Sequence, residues 1–117
     1  RILIVDDDAG NIRLLESMVR VAGYPYDSVA SGAGAIAWMA NEVPRMVLLD
    51  IKMPEMDGYD VCRQIRANPK TADVPVLFVT AIGGQIDLIQ VDEVGAQGYL
   101  VKPVREHELK AAIDELL

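Results

Sequence analysis

The chain has 117 residues with one cysteine, 51% hydrophobic residues and a net charge of 11 − 18 = −7. That length suits one domain, burying roughly two-thirds of its unfolded surface without staples, and the acidity argues against a nucleic-acid surface. Cys62 alone excludes an internal disulfide and fits a reducing, cytoplasmic setting, and no apolar run approaches the roughly 18 residues that span a bilayer.

In chain order the sequence alternates strand and helix. Ile2–Val5 is an apolar strand that stops on Asp6-Asp7-Asp8. Asp8 is placed to cap a helix carrying Ile12, Leu15, Val19 and Ala22, which Gly23 ends. A short second strand, Tyr26–Ala30, leads to Ser31 as the cap of a helix with Ile36, Met39, Ala40 and Val43 inward. The third strand, Met46–Leu49, ends at Asp50 and passes into the loop Ile51–Met56. Asp57 then caps a helix with Val61 and Ile65 inward, and Asn68-Pro69 closes it because proline cannot continue a helix. Pro75–Thr80 is a fourth strand. A looser helix containing Ile86, Ile89 and Val94 ends at Gly95, and Gly83-Gly84 should loosen its entry. Gly98–Val101 is a fifth strand, followed by Lys102-Pro103 and an amphipathic helix with Leu109, Ala112, Ile113 and Leu116. The chain begins at Arg1 directly on a strand, so it reads as a module excised from a longer protein.

Short aliphatic runs separated by helix-length stretches predict parallel strands buried on both faces. Five βα units with right-handed crossovers make a three-layer α/β sandwich, with the strand order left open by the pattern. Ligands in such sheets sit beyond the carboxyl ends of the strands. Asp6, Asp7, Asp50, Thr80 and Lys102 all stand at those ends, so they are expected to share one edge. Two carboxylates about 4 Å apart repel by roughly 4 kcal/mol at an effective dielectric of 20. The cluster must therefore protonate, pair with a cation or bind a metal. Lys102 cannot offset three acids alone, and Mg²⁺ or Mn²⁺ with oxygen ligands fits best. An anionic nucleophile, a divalent cation, a lysine and a hydroxyl are the parts that phosphoryl transfer to a carboxylate needs.

The segments ILIVDDD, LLDIKMPEMDGYDVCRQIR, PVLFVTA and GYLVKP, in this order, resemble the receiver domain of two-component response regulators over essentially the whole chain. The resemblance implies a flavodoxin-like (βα)5 fold with strand order 2-1-3-4-5, one domain over residues 1–117 and a phosphorylatable switch with no metabolic activity. It implies Asp50 as phospho-acceptor, Asp6 and Asp7 as the acidic pair with Asp7 the direct metal ligand, and the main-chain carbonyl of Lys52 as a further ligand. Thr80 and Tyr99 would be the switch residues and Lys102 the phosphate-side lysine, with a cis peptide at Pro103. The implied partners are a sensor histidine kinase or phosphotransfer protein as donor and an output domain or effector. The implied signalling face is the fourth helix, fifth strand and fifth helix, which can also pair two copies. His107 is not the donor, since in this family the donor histidine belongs to the partner.

Plainer roles fit other residues. Asp8 and Asp57 read as helix caps, Trp38 as a partly exposed packing residue, Cys62 and His107 as structural or surface residues. Lys52 brings a long cation beside the acceptor, and Ile82 would put an apolar side chain at the mouth of the site. Two rivals exist. A haloacid dehalogenase-type phosphatase would use Asp6 of the Asp6-x-Asp8 pair as nucleophile, although the fourth strand ends in Thr80 with no acidic pair and the chain has no room for a cap domain. A degenerate receiver would bind partners without phosphorylation.

Overall fold

The computed structural model describes residues 1–81 and 86–117. Its elements in chain order are β1 (Ile2–Val5), α1 (Ala9–Val21), β2 (Tyr26–Val29), α2 (Gly32–Met39), β3 (Met46–Leu49), α3 (Gly58–Ala67), β4 (Val76–Thr80), α4 (Leu88–Glu93), β5 (Gly98–Val101) and α5 (Glu106–Leu116). The five strands form one sheet in the order β2-β1-β3-β4-β5, all parallel, which is the order the resemblance implies.

Side-chain alternation splits the apolar strands between two faces. Leu3, Val5, Val47, Leu49, Val76 and Phe78 pack against α2, α3 and α4. Ile2, Ile4, Met46, Leu48, Leu77 and Val79 pack against α1 and α5. Every residue of β1, β3 and β4 is buried, as the aliphatic runs predict. The edge strands differ from that expectation. β2 is half-buried throughout, and β5 alternates, with Tyr99 and Val101 exposed. An edge strand lacks a neighbour on one side, so part of its face stays in water.

The caps fall where the sequence places them. Asp8 accepts from the Asn11 N–H at 3.0 Å and Ser31 from the Gly34 N–H at 2.9 Å. Asp57 and Asp60 form a reciprocal capping box on α3, which ties down two orphan donors. Gly23 and Gly95, at φ of 93° and 77°, stop α1 and α4. Two stretches depart from the predicted pattern. α2 ends at Met39, so Ala40 and Val43 lie outside it and are exposed; Met39 is buried as expected, and Ala35 is buried beside it. In α4 the inward residue is Val91, whereas Ile89 is exposed. The expectations for Ile82 and Gly83-Gly84 lie outside the described residues.

The loop after β3 carries Glu55 at a φ of 70°. Left-handed backbone costs an ordinary L-residue roughly 1–2 kcal/mol, and asparagine tolerates it better. Glu55→Asn should therefore raise stability by about 0.5 kcal/mol, read as a higher denaturant midpoint with an unchanged slope. No change, or a loss, would mean that the Glu55 side chain contributes something the backbone geometry does not show.

Candidate functional site

The site forms where β1, β3, β4 and β5 end together. The Asp50 N–H donates to the Val5 carbonyl at 2.9 Å and the Asp6 N–H to Val29 at 3.3 Å. This ladder sets the acids of β1 and β3 side by side. Carboxylate oxygens of Asp6, Asp7 and Asp50 lie within 4.8 Å of one another. Asp6 and Asp50 are buried and Asp7 is exposed.

Lys102 reaches across from β5. Its Nζ donates to Asp6 Oδ2 at 2.7 Å and stands 3.7 Å from Asp50 Oδ1. Its backbone is fixed by the Lys102 N–H, which donates to the Thr80 carbonyl at 2.7 Å, and the Lys102–Pro103 peptide is cis. Asp6 is thus engaged on both oxygens, since its Oδ1 accepts from the Asp8 N–H at 2.9 Å. Asp50 has the weaker share of the cation. Burial, then the Asp6 and Asp7 charges, outweigh Lys102 and push the Asp50 carboxyl up from 3.8 to about 6.

The remaining predicted residues take distinct places. Thr80 is buried at the end of β4. Lys52 is exposed in the loop that follows β3. Tyr99 pairs with Phe78 in the ladder between β4 and β5 and turns outward, 41% exposed. Asp8 serves as the α1 cap and Asp57 as the α3 cap. Cys62 is buried, with its thiol on the Val94 carbonyl at 3.3 Å, and His107 is exposed. Trp38 is half-buried and donates from Nε1 to Asp27 at 2.8 Å.

Gly58 has a part in the site that the pattern did not single out. A Cβ there would lie 2.3 Å from the Asp50 carbonyl oxygen and 2.8 Å from the Ile51 Cα. The Gly58 N–H donates to the Ile51 carbonyl at 2.8 Å. Only a residue without a side chain lets α3 begin this close to the end of β3. The sequence signal was present, a glycine right after a capping Asp, but the contact it serves is long-range.

Three converging carboxylates offer the oxygen donors that hard divalent cations take. The net negative charge left after one lysine gives such an ion a reason to bind. The residues therefore fit Mg²⁺ or Mn²⁺.

A family model for the response regulator receiver domain matches residues 2–114. Over 116 residues the chain is 40% identical to the response regulator PleD of Caulobacter vibrioides, covering 99% of this chain and 26% of that protein. It is 40% identical over its full length to the "Probable transcriptional regulator ycf27" of Porphyra purpurea, of which it covers 47%. The chain thus spans between a quarter and a half of the length of these curated relatives. Among solved structures, the receiver domain of a sensor histidine kinase from Pseudomonas aeruginosa matches with a TM-score of 0.89 and 32% identity, over 98% of this chain and 94% of that one. That structure holds a magnesium ion in its active-site cleft.

Two outcomes follow from the geometry. Gly58→Ala should destabilise the protein by about 1–3 kcal/mol, the usual range for a side chain forced into packed space, as read by denaturant unfolding. A neutral result would mean that α3 can slide away freely. The second concerns pH. Asp50 holds its proton more tightly folded, at about 6, than unfolded, at 3.8. Its contribution to stability is full below pH 3.8 and is lost as pH rises through 6. In metal-free protein, Asp50→Asn should be close to neutral at pH 3.5 and stabilising on the order of 1 kcal/mol at pH 7.5, since screening by water trims the full linkage value. Destabilisation at pH 7.5 would contradict the crowding.

Proposed function

Because the chain belongs to the response regulator receiver domain family, and so serves two-component signalling, we propose that Asp50 accepts a phosphoryl group from a phosphohistidine of a kinase or phosphotransfer partner. The observation that carries the reading is the strand-end cluster in which Asp50 faces Lys102 among acids. An Asp50 carboxylate oxygen forms the new bond to phosphorus, while the phosphorus–nitrogen bond of the donor breaks and its imidazole leaves. A carboxyl at about 6 is largely ionised at neutral pH, so the nucleophile is available.

The side chains divide the work. Lys102 swings between the Asp6 oxygen it holds and the oxygens of the transferring group, where it offsets their charge as a point cation. Thr80 offers a buried hydroxyl to one phosphoryl oxygen. Asp6, Asp7, Asp50 and the Lys52 carbonyl would hold Mg²⁺ or Mn²⁺, with Asp7, exposed at the site's edge, as a direct ligand. Such an ion, when bound, neutralises the carboxylates and the phosphoryl oxygens. The magnesium in the Pseudomonas aeruginosa receiver domain supports this part of the reading.

The new phosphoryl group adds about −1.5 to −2 charge and draws the Thr80 hydroxyl inward, which frees room for Tyr99 to turn from its exposed position. The face of α4, β5 and α5 then changes, and an output domain, an effector or a second copy docks there. Leu88, Ile89, Tyr99 and Val101, all exposed on α4 and β5, support that choice of surface. The phosphatase alternative loses its pair. Asp6 is spent on Lys102 and the Asp8 N–H, and Asp8 caps α1.

Acetyl phosphate with Mg²⁺ should label the protein once, and Asp50→Asn should abolish labelling. Continued stoichiometric labelling of that variant would overturn the assignment. Asp7→Asn should weaken Mg²⁺ binding at least tenfold and Asp8→Asn by less than threefold, measured by titration. Equal losses would make Asp8 a ligand as well as the α1 cap.

A further inference from the structure

Helix α3 turns one stripe toward α4, and that stripe is made of hydrogen-bonding side chains. Tyr59, Cys62, Arg63 and Arg66 recur at the three- and four-residue spacing that puts side chains on one helical face. The Tyr59 hydroxyl accepts from the Asp87 N–H, at the start of α4, at 3.3 Å. Arg63 donates to Gln90 Oε1 at 2.6 Å. The Cys62 thiol donates to the Val94 carbonyl at 3.3 Å. Arg66 donates to the Gly95 carbonyl twice, from Nε at 3.1 Å and Nη2 at 2.8 Å. Both ends of α4 are therefore held by α3.

Arg66 does more than hold one end. Its Nη1 donates to the carbonyls of Ala72 and Val74 at 3.1 and 2.7 Å, and its Nη2 to Gln97 Oε1 at 3.0 Å. The same Gln97 oxygen accepts from the Val76 N–H, at the start of β4, at 2.7 Å. One guanidinium thus links the end of α3, the approach to β4 and the turn between α4 and β5. At its other end α3 begins on Gly58, pressed against the Asp50 carbonyl.

We infer that α3 is the element that positions α4, with Tyr59, Arg63 and Arg66 as its positioning residues. α4 is only six residues long, too short to be stable alone, and just Val91 of it is buried. Its attitude, and so the outward display of Leu88 and Ile89, depends on the polar side chains from α3. A displacement at Asp50 then reaches α4 along a rigid helix, in addition to any movement of Thr80 and Tyr99. That signalling consequence rests on Asp50 being the phospho-acceptor; the hold of α3 on α4 does not.

Amide hydrogen exchange on the unliganded protein tests the hold by itself. Arg66→Met should speed exchange of the Val91, Val94 and Gly95 amides at least tenfold, with the amides of β1 and α5 within threefold of wild type. Equal acceleration everywhere, or none at α4, would overturn the inference. Tyr59→Phe with Arg63→Ala decides the matter if Arg66→Met does not fold: at least fivefold faster exchange confined to α4 supports the hold, and unchanged exchange refutes it. Beryllofluoride, a phosphoryl mimic, tests the consequence. Its ¹⁹F signals report binding at Asp50, and in the Arg66 variant they should persist while the amide shifts of α4 fall to less than half the wild-type response. A full α4 response would refute the α3 route. Absence of the ¹⁹F signals in wild type would instead strike the phospho-acceptor reading, and the exchange result would still judge the hold.

Discussion

The crowding of Asp6, Asp7 and Asp50 around a single lysine is the constraint on which the rest of the molecule depends. Like charges at this spacing repel by kcal/mol amounts even at a surface-like dielectric, and Lys102 is committed mainly to Asp6, at 2.7 Å against 3.7 Å to Asp50. Asp50 is left short of a partner, and its raised carboxyl is the result. A site built this way is receptive to added positive charge. The same imbalance costs stability wherever no added charge offsets it.

The fold serves that imbalance by holding it in place. β1, β3 and β4 are buried on both faces, so their ends cannot spread to relieve the repulsion. Gly58 brings the start of α3 against the Asp50 backbone, and the Lys102 N–H clamps β5 to the end of β4. The rigid side of the molecule therefore carries the acid cluster. The exposed apolar residues of α4 and β5 lie on the side held by fewer apolar contacts, the end of the stability range from which moving elements are drawn.

Much of this was legible in the sequence, and the reasons are local. Aliphatic runs of four residues announced the three central strands because burial on both faces favours apolar side chains along nearly their whole length. Asp8, Ser31 and Asp57 announced helix starts because a cap acts within three residues. Asp6, Asp7, Asp50, Thr80 and Lys102 could be gathered at one edge because parallel strands all end on the same side. What was not legible depends on distant neighbours. Ile89 and Val91 are equally apolar, and only the α3 surface decides which faces inward. The exposed half of β5 follows from its place at the sheet's edge, which the local pattern leaves open. Val43 looked like the continuation of a helical stripe, yet α2 has already ended at Met39. Arg66 reads as one more surface charge until its carbonyl partners, up to 29 residues away, are seen.

The central claim is that Asp50 is an under-compensated carboxylate awaiting a cation. A ¹³C NMR titration of its carboxyl carbon, without metal and with saturating Mg²⁺, measures this directly. The account predicts a midpoint near 6 without metal and a midpoint well below that when Mg²⁺ is present. A midpoint in the ordinary carboxylate range without metal, or one that Mg²⁺ leaves unmoved, would contradict it.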